Sequence, residues 1–212
     1  VTAGQEVWGH TELLSQWSSV FPSATLMMVA PQMRVSLVTN HVPVSQVSSV
    51  LTSEAIFLAI ERTGVALQSY LGIPHPKIAV LGLNPHAGEG GSLGTEEKEI
   101  IEPAIAAASQ KGWAVEGPLP ADSAFHFLAE GRWDVAVAMY HDQGLIPVKL
   151  GAFGEAVNVS LGLPYVRTSV DHGVAGDLVG QGVAGPGSLA AAIRLAEQMV
   201  EVRGFMEKQA RL

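Results

Sequence analysis

Short apolar runs alternate along the chain with longer segments in which apolar residues recur at helical spacing. The apolar runs are typical of buried strands covered on both faces, and they predict strands at residues 36–39, 77–83 and 134–139. The helical patterns predict helices at residues 45–71, 95–111 and 188–207, the second opening with a capped start at Thr95.

This alternation of strands and helices predicts an α/β fold with a mostly parallel sheet. Most glycine-rich polar segments come directly after the apolar strands. In open α/β sheets, ligands bind at the carboxyl ends of the strands. We therefore expect the functional residues in those segments.

Composition excludes several classes of protein. The 212 residues carry a formal charge of −8 without any Lys/Arg cluster, which argues against a nucleic-acid partner but leaves room for a small anion held by one or two basic side chains. With no cysteine, a transition-metal site would need histidine and carboxylate ligands. No apolar run is long enough for a membrane span. A cytoplasmic protein without a membrane partner is the expectation, and the first residues predict a chain that begins within a longer protein.

Three histidines stand in polar, glycine-rich segments: His10, His86 and His141. Neutral imidazole is a common ligand for zinc, cobalt and nickel, and three such ligands would leave coordination positions open for a substrate. The alternative is that each imidazole caps a turn or bonds to the backbone. Spacing alone leaves both interpretations open.

The remaining histidines carry weaker signals. His41 follows a predicted strand and could line the same site. His75 lies between two prolines in a loop, and His126 lies in a predicted helix beside two phenylalanines, where packing is its expected role.

Basic and amide side chains mark a second set of candidates. Lys149, Asn158 and Arg167 are separated in sequence but share strand and glycine contexts. Arginine can hold a phosphate or carboxylate with two hydrogen bonds, and lysine can supply a point charge or act as an acid or base. Both cations could equally be ordinary surface charges. The glycines at 88, 90, 91 and 94 could also hold an anion against backbone N–H groups, although no strict phosphate-binding motif is present.

Residues 171–177 form the last candidate loop. His172 and Gly173 could lie against an adenine ring, and Asp171 or Asp177 could accept hydrogen bonds from a ribose, which favours NAD over NADP. An ordinary polar turn is the alternative.

Several motifs in fixed order resemble the signature of the 4-hydroxythreonine-4-phosphate dehydrogenase family (the PdxA type), over essentially the whole chain. They are GHTE (9–12), LNPHAGEGG (83–91), GTEE (94–97), GPLPAD (117–122), AMYHDQGL (138–145), VNVSLGLP (157–164) and RTSVDHG (167–173). The resemblance implies an α/β/α sandwich of the isocitrate and isopropylmalate dehydrogenase type. Residues 1–212 would then be the middle and C-terminal part of a two-domain, homodimeric enzyme, incomplete at its N-terminus.

The resemblance also implies roles for single residues. His10, His86 and His141 would bind one divalent ion (Zn, Co or Mg), and Lys149, Asn158 and Arg167 would contact the substrate. The loop of Asp171, His172, Gly173 and Asp177 resembles an adenine-binding loop.

The reaction that the resemblance implies is the oxidation of 4-phosphooxy-L-threonine by NAD, with the metal assisting loss of the hydroxyl proton. The resulting 3-oxo acid would lose CO2, and the product would enter pyridoxal phosphate synthesis. Asp142, beside a predicted metal ligand, and Lys149 are the candidate catalytic residues.

Two departures from the family pattern keep alternatives open. Only eight residues precede the GHTE motif, whereas family members carry a long segment with a substrate-binding His-Thr pair there. Ser92 and Val174 stand where histidine and threonine are common. The alternatives are a paralogue that oxidises a four-carbon sugar-acid phosphate or a dihydrodiol carboxylate, and a metal- or ligand-binding fragment without turnover.

Overall fold

A seven-stranded sheet forms the centre of the protein. The computed structural model describes residues 9–20, 23–173 and 176–209, apart from the side chains of residues 177 and 207–209. The strands are β1 (Thr25–Val29), β2 (Arg34–Leu37), β3 (Lys77–Leu81), β4 (Ala114–Leu119), β5 (Val135–Ala138), β6 (Val157–Leu161) and β7 (Thr168–Val170).

Seven α-helices accompany these strands in the described part of the chain. They are α1 (His10–Trp17), α2 (Val44–Val50), α3 (Ser53–Leu71), α4 (Glu102–Gln110), α5 (Ala121–Ala129), α6 (His141–Ala152) and α7 (Gly187–Gln209). Three short turns complete the element order: a tight turn at Pro85–Gly91, a π-helical turn at Glu97–Ile101 and a 3-10 turn at Gly176–Leu178. None of the helices described is long and apolar enough to cross a membrane.

The strand order is β4-β3-β5-β2-β1-β6-β7. The pairs β4–β3, β3–β5 and β5–β2 are parallel, whereas β1 is antiparallel to both β2 and β6, and β7 is antiparallel to β6. Five strands (β2 to β6) therefore point the same way, which confirms the predicted α/β fold with a mostly parallel sheet. Their C-terminal ends share one edge, called the carboxyl edge below.

Helices cover both faces of the sheet. In β3, Ile78 and Val80 join the core formed with α3, α4 and α7, whereas Ala79 and Leu81 join the core formed with α5 and α6. This alternation follows from the two-residue period of a strand. Each fully buried Val, Leu or Ile side chain stabilises the fold by about 1.5–3 kcal/mol. The result is the α/β/α sandwich that the motifs predicted.

The helix predicted at 45–71 is two helices. Leu51 is extended (φ −68°, ψ 133°), and the Thr52 hydroxyl accepts a hydrogen bond from Ala55 N at 3.1 Å, so that α3 starts anew. The capped start predicted at Thr95 is wrong, because no side chain caps the π-helical turn that begins at Glu97. The break before α3 depends on the Thr52 hydroxyl, which accepts a backbone N–H group in place of a carbonyl. The spacing of apolar residues does not show such a side-chain hydrogen bond.

Candidate active site at the carboxyl edge

His141 and its neighbours form a small pocket at the carboxyl edge. His141 is the first residue of α6, directly beyond β5. Its Nδ1 lies 2.6 Å from Asp142 Oδ1, and its ring centroid lies 6.0 Å from that of His41, which follows β2. The pocket has a volume of about 300 Å³ and is lined by both histidines, Asp142, Asn40 and Tyr140, among others.

A carboxylate on one imidazole nitrogen is the arrangement that orients histidine ligands of metals, because it fixes the tautomer and leaves the other nitrogen free for the ion. His141 therefore fits the chemistry of a ligand. Among the residues described, however, no three His, Asp or Glu side chains lie close enough together to hold a metal ion. The structure does not bring His10, His86 and His141 of one chain together.

His86 stands in a left-handed turn just beyond β3. Residues 86–90 all have positive φ, and three of them are not glycine: His86 (φ 55°), Ala87 (φ 50°) and Glu89 (φ 42°). Left-handed backbone costs roughly 1–2 kcal/mol for each such residue. Strain of this kind persists only where surrounding contacts enforce it, and it is concentrated at functional sites.

Gln143 ties this turn to the His141 pocket. Its Oε1 accepts from Met139 N at 2.7 Å, and its Nε2 donates to Gly82 O at 2.7 Å. One side chain thus joins the ends of β5 and β3, the two strands that lead to His141 and His86. Gln143 was not predicted as a site residue. It belongs to the AMYHDQGL motif, but the sequence does not show that it joins Met139 to Gly82.

Arg167 lies at the same edge, between β6 and β7. Its Nη1 donates to Ser160 Oγ at 3.0 Å and makes a long contact with Thr11 Oγ1 at 3.4 Å. Partial burial lowers the pKa of the guanidinium, opposed by the negative charge of Glu12 and by Tyr165. No hydrogen bond to described residues uses Nε or Nη2, so two donors remain for an anion.

Glu12 was not singled out as a candidate, although it belongs to the GHTE motif. Its Oε1 lies 3.7 Å from His41 Nδ1, and its buried Oε2 has no hydrogen-bond partner among the described residues. Glu12 therefore links the Arg167 region to the His41–His141 pocket.

Lys149, Asn158 and Arg167 lie along one face of β6. Asn158 and Ser160 alternate with core residues of the opposite face and so point toward the α6 side. Lys149 Nζ donates to the carbonyl of Asp171, beyond the start of β6, at 3.1 Å. The three predicted substrate residues thus span roughly 13 Å of strand.

Asn158 stands in the middle of this row. Its Oδ1 is buried and has no hydrogen-bond partner within the described structure. An orphaned buried acceptor costs about 1–3 kcal/mol, and a hydroxyl or ammonium group of a ligand would satisfy it. With the amide turned over, the same side chain would donate to a phosphate.

The predicted cofactor loop is only partly described. Asp171 Oδ1 accepts from Ser188 Oγ at 3.1 Å, and His172 Nδ1 lies 2.9 Å from Gly173 O, with both His172 and Gly173 exposed. Val174 and the side chain of Asp177 fall outside the described residues.

His75 and His126 lie away from these groups. His75 is exposed in the loop before β3. His126 lies in a helix as predicted, but its packing is at the surface, where its ring meets that of Phe127 at 5.2 Å between centroids and its Nε2 lies 3.5 Å from Glu130 Oε1.

Comparisons with known proteins place this architecture among dehydrogenases. A solved 4-hydroxythreonine-4-phosphate dehydrogenase from Klebsiella pneumoniae superposes with a TM-score of 0.81 at 40% identity, over 94% of this chain and 59% of its own. A terephthalate 1,2-cis-dihydrodiol dehydrogenase from Burkholderia xenovorans superposes with a TM-score of 0.74 at 33% identity, over 90% and 61%. A β-decarboxylating dehydrogenase from Thermococcus kodakarensis, at 16% identity and a TM-score of 0.58 (97% of this chain, 68% of its own), shares the fold.

Sequence comparison narrows the class to one family. The 4-hydroxythreonine-4-phosphate dehydrogenase of Desulforapulum autotrophicum is 47% identical over 202 residues, covering 95% of this chain and 59% of the relative. The family model of the pyridoxal phosphate biosynthetic protein PdxA matches residues 1–196. The chain belongs to the PdxA family, as the motifs predicted, and it spans about three-fifths of the length of the curated relatives it matches.

Proposed function

We propose that this chain is the middle and C-terminal part of an NAD-dependent dehydrogenase that oxidises 4-phosphooxy-L-threonine to 2-amino-3-oxo-4-phosphooxybutanoate. The product then loses CO2 to give 3-amino-2-oxopropyl phosphate for pyridoxal phosphate synthesis, in the cytoplasm. The relatives that are named 4-hydroxythreonine-4-phosphate dehydrogenase support this choice of substrate. The observation that carries the proposal is the row formed by Lys149, the orphaned amide of Asn158 and the half-buried Arg167.

That row suits a short phosphorylated hydroxy acid. Nε and Nη2 of Arg167 are two donor nitrogens that can bind an oxyanion, and a guanidinium binds phosphate through two parallel hydrogen bonds. Lys149 supplies a second cation at the other end of the row. Asn158 lies between them and accepts from a hydroxyl or ammonium group. A substrate with anionic ends and polar groups between them would meet all three side chains.

Oxidation of the substrate's hydroxyl needs a hydride acceptor and a base. NAD takes the hydride, and a divalent ion (Zn, Co or Mg) favours loss of the hydroxyl proton when it is bound. Asp142 holds Nδ1 of His141 and is the candidate proton acceptor at the pocket. Asp171, His172, Gly173 and Asp177 are proposed to hold the cofactor.

The proposed homodimer would supply what one chain lacks at the metal site. Helix α6 exposes Ile146 (64%) and Leu150 (88%) on one face, and Phe153 (83%), the residue directly after the helix, is also exposed. A contiguous exposed apolar patch is typical of a protein–protein interface. We propose that a second copy covers this stripe, and that histidines from two chains complete the ligand set which the described part of a single chain does not assemble.

The test is a turnover assay that follows NADH absorbance. The chain and a version extended to the length of its relatives are supplied with NAD, the metal and 4-phosphooxy-threonine. The expected result is NADH formation by the extended version. A second candidate is a dihydrodiol carboxylate, suggested by the Burkholderia xenovorans likeness. Turnover of that compound, or of a four-carbon sugar-acid phosphate, in place of 4-phosphooxy-threonine would overturn the proposed substrate. Metal binding without turnover of any of them would leave a binding module.

A further inference from the structure

The left-handed turn that carries His86 winds around a buried carboxylate. The carboxylate belongs to Glu97, which is only 3% exposed. Its Oε1 accepts from the N–H groups of Leu83 at 2.8 Å and Asn84 at 2.7 Å, and its Oε2 accepts from Asn84 Nδ2 at 3.0 Å. Three hydrogen bonds thus hold the residues that lead directly into His86.

Two glycines let the chain close around this carboxylate. A Cβ at Gly88 would lie 2.5 Å from Glu97 Oε2, and a Cβ at Gly82 would lie 2.8 Å from Ala87 Cα. Neither separation is possible between real atoms. The space that the Glu97 carboxylate occupies therefore explains Gly88 in the turn, and the close approach of the chain at Ala87 explains Gly82 before it.

The carboxylate is itself fixed to the core. Glu97 begins the π-helical turn, whose last residue, Ile101, is fully buried. The Ser53 hydroxyl at the start of α3 donates to Ile100 O at 2.8 Å within that turn. Isolated π-turns often occur at functional sites. This one sets Glu97 where it reaches across to the end of β3.

The charge of Glu97 is balanced by N–H donors alone. None of the ion pairs between described residues includes it. A buried carboxylate without a cation is unfavourable for stability. An apolar residue would pack at this position at a lower cost. The hydrogen bonds to Leu83 and Asn84 therefore explain why a carboxylate is buried here.

We propose that Glu97 is the positioning residue for His86: its buried carboxylate clamps Leu83 and Asn84 and so holds the left-handed turn that presents the imidazole at the carboxyl edge. The inference rests on the proposed function only in treating His86 as a metal ligand. The hydrogen bonds of Glu97 to Leu83 and Asn84 do not depend on a bound metal.

Glu97→Gln is the substitution that tests the clamp. A glutamine keeps the size, and its Oε1 can still accept from the two backbone N–H groups. Its Nε2, however, would face Asn84 Nδ2, so that a donor meets a donor. Glu99→Gln is the matched control, because Glu99 lies on the same turn with its side chain exposed and loses the same charge.

The first readout is the imidazole NMR spectrum of the metal-free chain. The His86 signal is identified by His86→Asn, which removes the imidazole but tolerates left-handed backbone. Glu97→Gln is expected to shift and broaden that signal, whereas the signals of His75 and His126 stay in place and Glu99→Gln changes none of them. An unchanged His86 signal in Glu97→Gln would overturn the proposal. If Glu97→Gln does not fold, Glu97→Asp keeps the charge, withdraws it by one methylene and is read in the same way.

The second readout is a Co²⁺ titration arranged as a double-mutant cycle. Glu97→Gln is expected to weaken Co²⁺ binding by about 10- to 100-fold and to have no further effect when combined with His86→Asn. Equal losses in both backgrounds would show that Glu97 does not act through His86. If the unaltered chain and its dimer take up no Co²⁺, the proposed metal site fails, and the NMR result alone decides the role of Glu97.

Discussion

Replacing Arg167 by methionine separates ligand binding from stability. Methionine retains the unbranched shape and removes the charge and the two donor nitrogens, Nε and Nη2, that are free to bind a ligand. Hydrogen bonds that involve a charged group contribute about 1.5–3 kcal/mol, which corresponds to a roughly 10- to 150-fold rise in the Kd of a phosphorylated ligand. The affinity for its dephosphorylated analogue should stay within about threefold, because the lost contact is to the phosphate.

Stability should change much less than affinity. Removing Arg167 deprives the buried Ser160 hydroxyl of its donor, but it also relieves a guanidinium whose pKa is lowered by burial. These effects oppose each other, and we expect the free energy of unfolding to change by less than about 2 kcal/mol.

Calorimetric titration with 4-phosphooxy-threonine and with 4-hydroxythreonine measures both affinities, and denaturant unfolding measures stability. Arg132→Met is the matched control, because Arg132 pairs with Glu116 of β4, away from the site. Equal losses for the two ligands in Arg167→Met would refute a phosphate contact. The phosphate contact would also be refuted if Arg167→Met lost affinity only because the protein unfolds.

Three further predictions concern the pocket, the dimer and the acid limb of stability. Asp142→Asn, which weakens the acceptor for His141 Nδ1, should lower Co²⁺ affinity by about 10- to 100-fold in a competition titration; full affinity would exclude Asp142 as the orienting group. Leu150→Glu should shift the sedimentation profile toward monomer, whereas an unchanged dimer would place the interface elsewhere. Ser48→Ala removes the hydrogen bond that chiefly lowers the pKa of Glu96 below its ordinary value of 4.5. A lowered pKa in the folded state stabilises the fold above that ordinary value, and the effect is lost as pH falls through the lowered value. Ser48→Ala should therefore be less stable than Ser49→Ala at neutral pH and approach it in acid; a gap that does not change with pH would contradict this cause.

The layout of the sheet could be predicted from the sequence because burial leaves a periodic record. Val135 and Val137 alternate with Ala136 and Ala138 toward two different cores, and all four are buried, so the run is apolar throughout. Strand β1 is apolar and buried in the same way, but nothing in its sequence showed that it lies antiparallel between β2 and β6. The direction of a strand depends on the neighbouring strands with which its N–H and C=O groups pair. These neighbours are far apart in sequence and are known only from the folded structure.

The candidate site was predictable in its residue types but not in its grouping. His141 and Asp142 are adjacent in sequence, so their contact follows from the motif. Glu97 and Gln143 act over distances of 13 and 61 residues on backbone groups that any residue could supply. Both residues stand in family motifs, but the motifs do not say which backbone groups the side chains hold, and only the hydrogen bonds of the loops show this.

In the proposed reaction, a hydride passes from the hydroxyl-bearing carbon of 4-phosphooxy-threonine to NAD. The most direct test supplies that substrate with deuterium on this carbon to the version of the protein extended to the length of its relatives, and mass spectrometry then locates the label. We expect that deuterium appears in the NADH and that CO2 is released. NADH without deuterium would contradict this reaction. So would the absence of NADH with 4-phosphooxy-threonine if the sugar-acid phosphate or the dihydrodiol carboxylate is oxidised instead.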